Sequence, residues 1–206
     1  MSHKYVELEA LNWDKVNGLM PAVIQDASTL QVIMLGYMNK EALEQSIATG
    51  LITFYSRTKN RLWTKGESSG NRLTLVNIVP DCDKDTLLIQ AKPTGPSCHL
   101  NNRSCFGKTD APGLGVLAKL EAIIDQRYQE RPENSYVTTL FEEGIRRIAQ
   151  KVGEEGVEVA LACVAGTGEE IKNEAADLIF HLLVLLRQCE IELSEVMDLL
   201  CKRAEH

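Results

Sequence analysis

Apolar residues change their spacing partway along the chain. In the first half they come in short runs or alternate with polar positions; beyond about residue 113 they recur at helical intervals. Two apolar runs, Ala22 to Ile24 and Leu30 to Leu35, flank Asp26-Ala27-Ser28-Thr29, a pattern that predicts a β-hairpin between Met20 and Met38. A helix is expected next, with Asn39 as its N-cap, Glu41 in its first turn and Gly50 ending it. Leu51 to Tyr55 and Leu73 to Val79 read as strands of a sheet with one covered face, and Thr86 to Ala91 as another that stops at Pro93.

Between those strands, Ser56 to Asn71 is rich in cations, hydroxyls and glycine. Such a segment either wraps an anion or forms a solvated loop around a short Leu62-Trp63 strand. Residues 107 to 113, with two Gly and a Pro, are the expected linker. After it the pattern is helical: a first helix carries Val116, Leu120, Ile123 and Ile124 and ends by Pro132. Thr139-Leu140-Phe141-Glu142 is expected to open a long helix through Ile148 and Val159 to about Ala165. Thr167-Gly168-Glu169-Glu170 should open another, and Ser194 should cap a short last one. The expected fold is thus an α+β N-terminal domain (1–110, mostly antiparallel sheet with a short helix) followed by an all-α helical bundle (114–206).

Charge separates the same halves. Residues 1–110 carry 12 Lys+Arg against 11 Asp+Glu, and 111–206 carry 10 against 18, giving +1 and −8, so the net −7 comes entirely from the second half. That balance argues against a nucleic-acid partner, while acidic groups holding a divalent ion can still meet a phosphate. The N-terminal stretch MSHKYVELEALNW has no signal-peptide apolar core, and the run Leu178 to Leu186 is interrupted by His181 and too short to span a bilayer. A cytoplasmic protein without a membrane partner is expected, in which six Cys are thiols or metal ligands more readily than disulfides. Cys163, Cys189 and Cys201 lie on apolar helices and read as buried core thiols.

The chemistry concentrates at Asp81-Cys82-Asp83-Lys84-Asp85, with Cys98-His99 and Cys105 downstream. As a strand this stretch would put three carboxylates on one face and Cys82 on the other; as a turn near Asp83-Lys84 it would gather them at a hairpin tip. Either way the carboxylates call for a hard cation such as Mg2+, and the three thiols for Zn2+. Three thiolates leave a fourth zinc position open for water, which becomes hydroxide near neutrality. His99 reads as a fourth ligand, a proton shuttle or a plain loop residue, with the shuttle favoured. The deaminase patterns H-x-E and P-C-x-x-C are absent, and Thr86 and Lys92 stand where a calcium loop needs Gly and Glu.

DCDKDTLL, GPSCH and SCF, preceded by MLGYMNKEAL and YSRTKNRLWTKGESSGN, resemble phosphoribosyl-AMP cyclohydrolase of histidine biosynthesis over about residues 20 to 107. The resemblance implies Zn2+ on Cys82, Cys98 and Cys105, and Mg2+ on Asp81, Asp83 and Asp85. It also implies an interlaced homodimer in which Cys82 serves the partner's zinc, and opening of the adenine ring between N1 and C6. Arg57, Trp63, Lys65, Glu67 and Ser69 become expected substrate contacts.

In the second half, Glu155 with Glu158, and Glu174 with Asp177, are i, i+3 pairs on consecutive helices. Antiparallel packing would bring four carboxylates together, tolerable only with a divalent cation or a proton. A solvated acidic face is the plainer reading, but Glu155 and Glu174 fall on the apolar stripes of their helices, where carboxylates are rare. E-E-x-x-E followed by E-x-x-D resembles the all-α nucleoside-triphosphate pyrophosphohydrolases, and KVGEEGVEVALA resembles the phosphoribosyl-ATP branch, over about residues 115 to 203. That resemblance implies Mg2+ on Glu154, Glu155, Glu158, Glu174 and Asp177, with water attacking between the α and β phosphates. Lys151 would contact a phosphate or offset the acidic cluster, and His181 reads as a satisfied core histidine. Together the halves predict a bifunctional enzyme acting on nucleotide substrates, with chain order opposite to reaction order. A lone pyrophosphohydrolase with a zinc-stabilised binding module, and a dimerising metal-binding scaffold, are the disfavoured alternatives.

Overall fold

A computed structural model describes residues 6–107 and 113–204, and the chain divides into two compact units between Val116 and Leu117. The expected linker lies largely outside the described residues.

In the first unit, β1 (Met20–Asp26) and β2 (Val32–Met38) form the hairpin, β3 (Thr53–Ser56) pairs with β4 (Arg61–Thr64), and β5 (Leu73–Pro80) and β6 (Leu87–Pro93) complete the main sheet. That sheet has the order β2-β1-β6-β5, antiparallel except where β1 runs parallel to β6. Strict alternation in β1 buries Met20, Ala22 and Ile24, and the same period in β6 buries Leu87, Ile89 and Ala91, so both strands present one apolar face. The hairpin turns at Asp26, whose Oδ1 accepts the amides of Ser28 and Thr29, an Asx-type turn.

Helix α1 (Lys40–Thr49) is capped as its sequence predicts. Asn39 Oδ1 accepts the Ala42 amide at 2.9 Å, and Gly50 closes the helix in the left-handed region at φ 69°. Its buried Ala42 and Leu43 join the core with Phe54 of β3. Gly36 on β2 is required there, because a Cβ would lie 2.3 Å from the Phe54 ring. The strand expected at Leu51 starts two residues later; Leu51 makes an isolated bridge to Thr74.

The second unit is helical: α2 (Gly115–Glu130), α3 (Tyr136–Glu143), α4 (Ile145–Ala165), α5 (Gly168–Gln188) and α6 (Leu193–Ala204). Ile124, Leu140, Phe141, Ile148, Leu183 and Val184 form its core, with Tyr128 edge-on to Phe141 at 4.7 Å. The Thr167–Glu170 capping box is realised in both directions. Because only Gly166 and Thr167 separate α4 from α5, the two long helices fold into an antiparallel hairpin.

Three expectations fail here. Thr139 does not start a helix: Ser135 is the cap, its Oγ accepting the Thr138 amide, and Gly144 at φ 84° splits the expected long helix into α3 and α4. Ser194 lies inside α6, whose start is held by Glu195, which accepts the Glu192 amide, and by Glu121, which accepts the Leu193 amide. Cys163 and Cys201, within α4 and α6, and Cys189, the C-cap of α5, are exposed instead of lying in the core.

Candidate functional site

The Asp81–Asp85 stretch is a hairpin tip, which overturns the strand alternative. Asp81 Oδ1 accepts the amides of Asp85 and Thr86, and Lys84 takes the left-handed region at φ 62°. Carboxylate oxygens of Asp81, Asp83 and Asp85 come within 4.8 Å of one another. Lys15, from the turn at Asp14–Val16, places its ammonium against both Asp83 and Asp85. Those contacts raise the Lys15 pKa and lower that of Asp85, the hydrogen bond being the main cause in each case. No sequence signal pointed to Lys15, since its partners lie far away along the chain. Three carboxylates around one point, two exposed and one half-buried, are a donor set that suits a hard divalent ion.

Cys98 and Cys105 lie on a polar segment fastened to β2. The Cys105 amide donates to Ile33 O at 2.7 Å, and Ser104 Oγ to Val32 O at 2.9 Å. The Cys98 amide donates to Asn102 O, closing a tight loop. Burial raises the Cys105 thiol pKa, the neighbouring Cys98 raises it further, and Lys65 opposes both. A thiol held neutral by burial beside a second thiol is what a soft cation would relieve. His99 is exposed, with Nδ1 3.9 Å from Cys98 Sγ. Cys82, exposed at the hairpin tip, does not join the pair: among the described residues, groups of three potential ligands occur only at Asp81/Asp83/Asp85 and Glu155/Glu158/Glu174.

Near β3 and β4 a cleft of about 290 Å³ is lined by Ser56, Lys59, Arg61, Trp63, Glu67 and Ser68. Trp63 and Glu67 were expected there; Lys59, Arg61, Ser56 and Ser68 are additions from the same cation- and hydroxyl-rich segment. Arg61 pairs with Glu67 at 2.6 Å and thereby lowers the Glu67 pKa. Of the other expected contacts, Arg57 stacks on Tyr37 at 3.8 Å, Lys65 lies 5.7 Å from the Trp63 ring, and Ser69 accepts the Asn71 amide. None of these three lines the cleft.

On the α4–α5 hairpin, Glu155 is buried at 4 % exposure, and its carboxylate meets those of Glu158 and Glu174 within 4.8 Å. Lys151 Nζ lies 2.8 Å from Glu155 Oε1 and lowers its pKa against the opposing effect of burial. Glu158 goes the other way: desolvation, then the charges of Glu155 and Glu174, raise its pKa. Four oxygen-ligand residues were expected to converge from the two i, i+3 pairs; Asp177 stays exposed outside the group. Glu154 turns instead to Gln150, Lys151 and Arg147. A hard-donor cluster with one buried member, Glu155, and one ammonium fits a divalent cation.

Comparison with known proteins agrees with this division. Residues 34–107 match the phosphoribosyl-AMP cyclohydrolase family, and residues 117–204 match the phosphoribosyl-ATP pyrophosphohydrolase family. The "Histidine biosynthesis bifunctional protein HisIE" of Xanthomonas campestris pv. campestris is 56 % identical over 95 % of this chain and 94 % of its own. The proteins of that name from Escherichia coli O157:H7 (53 %, covering 94 % and 95 %) and Yersinia pestis (52 %, 97 % and 97 %) are similar along their whole lengths too. The chain therefore belongs to the bifunctional histidine-biosynthesis hydrolases that join a phosphoribosyl-AMP cyclohydrolase to a phosphoribosyl-ATP pyrophosphohydrolase.

Proposed function

We propose that residues 114–206 hydrolyse phosphoribosyl-ATP to phosphoribosyl-AMP and pyrophosphate, and that residues 1–110 then open the adenine ring of that product between N1 and C6. The observation that carries this reading is the buried Glu155 with its carboxylate within 4.8 Å of those of Glu158 and Glu174, a placement rare for a carboxylate and suited to a divalent cation.

In the pyrophosphohydrolase, Glu155, Glu158 and Glu174 hold Mg2+, and Glu154 and Asp177 at the margins complete the ligand set when substrate phosphates arrive. Bound Mg2+ would neutralise phosphate charge and orient the attacking water. Lys151, paired with Glu155, offsets the charge of the cluster and would contact a substrate phosphate.

In the cyclohydrolase, Cys98 and Cys105 hold Zn2+ together with Cys82 from a second copy of the chain. Bound Zn2+ would bring the pKa of a water to about 7. His99, exposed beside Cys98, moves the proton. Asp81, Asp83 and Asp85 would hold Mg2+, in place of the Lys15 ammonium. Trp63 offers a stacking face for the base, while Arg61 and Lys59 meet the phosphate; Arg57, Lys65, Glu67 and Ser69 shape the approach. A homodimer follows from the shared Cys82. Exposed Val157, Leu161 and Val164, at i, i+4 and i+7 of α4, support it as an apolar stripe in want of a partner. Among the described residues no helix is long and apolar enough to cross a membrane; a cytoplasmic location is part of the proposal.

The test is a two-readout assay. Phosphoribosyl-ATP with Mg2+ and Zn2+ should yield pyrophosphate before ring-opened product, and phosphoribosyl-AMP should yield ring opening alone. Ring opening without any pyrophosphate release from the triphosphate would defeat the proposal.

A further inference from the structure

Asn71 stands where two functional segments of the first unit meet. It ends the cation- and hydroxyl-rich residues 56–71, is half-buried, and has a glycine against each side. Gly66, between the expected substrate contacts Lys65 and Glu67, is buried and takes the left-handed region at φ 82°. A Cβ there would stand 2.5 Å from the Asn71 carbonyl carbon and 2.8 Å from Arg72 N, so the Asn71 backbone lies directly against it. On the other side is Gly95, three residues before Cys98. A Cβ at Gly95 would overlap Asn71 Oδ1 and stand 3.0 Å from its Cγ, so the carboxamide fills the place of the missing side chain. The neighbouring backbone is tied as well: Thr94 N–H donates to Arg72 O at 3.0 Å, and Arg72 N–H to Thr94 Oγ1 at 2.9 Å.

An asparagine that merely shaped a turn would use its side chain on the local backbone. Here the backbone amide donates to Ser69 Oγ at 3.3 Å, whereas among the described residues the carboxamide makes no hydrogen bond. Its task is to occupy the space between the two segments. We propose that Asn71 is a positioning residue of the cyclohydrolase: lodged against Gly66 and Gly95, it fixes the loop that carries Cys98 and Cys105 relative to the segment that receives the nucleotide. This rests on the reading above that those thiols hold the reactive cation and that residues 56–71 meet the nucleotide. A misplacement of about 1 Å between reacting groups can cost on the order of 100-fold in rate. The affinity of each segment for its own ligand needs no such registration.

The test is a double-mutant cycle on the full chain. Asn71→Ala empties the space over Gly95, and Gly95→Ala drives the Asn71 side chain out of it. Each should lower kcat for opening phosphoribosyl-AMP by about 10–100-fold with KM little changed. Co2+ affinity, read from thiolate-to-cobalt absorption, and the affinity for AMP as a nucleotide probe should stay at the wild-type level. The double variant should be no worse than either single one, because truncating Asn71 makes room for the new Cβ. Asn71→Leu, which refills the space without polar atoms, should keep most of the rate. Should Gly95→Ala fail to fold, the contrast between Asn71→Ala and Asn71→Leu carries the result. Wild-type kcat in Asn71→Ala, additive losses in the double variant, equal losses in the Ala and Leu variants, or a loss that appears in Co2+ or AMP affinity instead of kcat would overturn the proposal. If instead Cys98→Ser kept thiolate-to-cobalt absorption and ring opening, the underlying reading of the thiols as the cation site would be the one at fault.

Discussion

Lys151 and Glu155 face each other one turn apart on α4, Nζ to Oε1 at 2.8 Å, with the carboxylate buried and the ammonium half-buried. The pair is the countercharge that lets three carboxylates sit together without a metal. Removing one partner of a buried pair leaves the other charge uncompensated, at a cost of up to about 3 kcal/mol once the partial exposure of Lys151 is allowed for. Lys151→Met should lower the urea midpoint of the metal-free protein, and saturating Mg2+ should restore most of the loss. A loss that Mg2+ leaves unchanged would mean that Lys151 acts apart from the cluster.

The signs of the two shifts define a pH window. Glu155 is depressed, so its contribution is present above the ordinary glutamate range and is lost as pH falls through its lower folded value. Lys151 is raised, so its contribution is full below the ordinary lysine range and is lost as pH climbs through its higher folded value. Glu158 behaves oppositely to Glu155. Its raised pKa means that the folded, metal-free chain keeps a proton that the unfolded chain has released, so stability declines as pH rises from the ordinary glutamate range through the raised one. A divalent cation bound by Glu158 would displace that proton. Calorimetry in buffers of different ionisation enthalpy should show proton release on Mg2+ binding near the raised Glu158 pKa, and its absence in Glu158→Gln.

At the hairpin tip the Lys15 ammonium lies against Asp83 and Asp85, so a divalent ion bound there would compete with it. Lys15→Met should therefore tighten Mn2+ binding there several-fold, measured as the portion of the isotherm lost in Asp83→Asn. Unchanged or weaker binding would show that the ammonium assists the site.

The split of the expected long helix is open to a simple stability test. Ser135→Ala removes the side-chain acceptor for the Thr138 amide and a contact from Arg127 at 3.2 Å, and should cost about 1 kcal/mol. Thr139→Ala, a helix-interior change, should cost clearly less by chemical denaturation.

Much of this molecule is legible in its residues because the signals are local. Asn39 and Gly50 bracket α1, Thr167 and Glu170 reciprocate at α5, and strict alternation marks β1. Thr139 misled because Thr-x-x-Glu is also an ordinary helix-interior sequence, and Gly144, which breaks the helix, has a conformation that composition does not state. Cys163 and Cys201 misled for a related reason, an apolar helix having an outer face too, and Cys189 falls just past the end of α5. Long-range partners were invisible. Lys15 meets Asp83 across 68 positions, and His181 meets Tyr136 across 45, distances over which no spacing rule operates. The carboxylate pairs were readable at i, i+3, but which of them turn inward depends on the hairpin geometry, which takes Glu155 in and leaves Asp177 out.

The central claim is that two independent sites on one chain perform successive hydrolyses. Its most direct test supplies phosphoribosyl-ATP, Mg2+ and Zn2+ to Cys98→Ser and Glu155→Gln and records pyrophosphate and ring opening separately. Cys98→Ser should release pyrophosphate at the wild-type rate and accumulate unopened phosphoribosyl-AMP. Glu155→Gln should release none, yet open added phosphoribosyl-AMP normally. Loss of both activities in either folded variant, or persistence of ring opening in Cys98→Ser, would contradict the account.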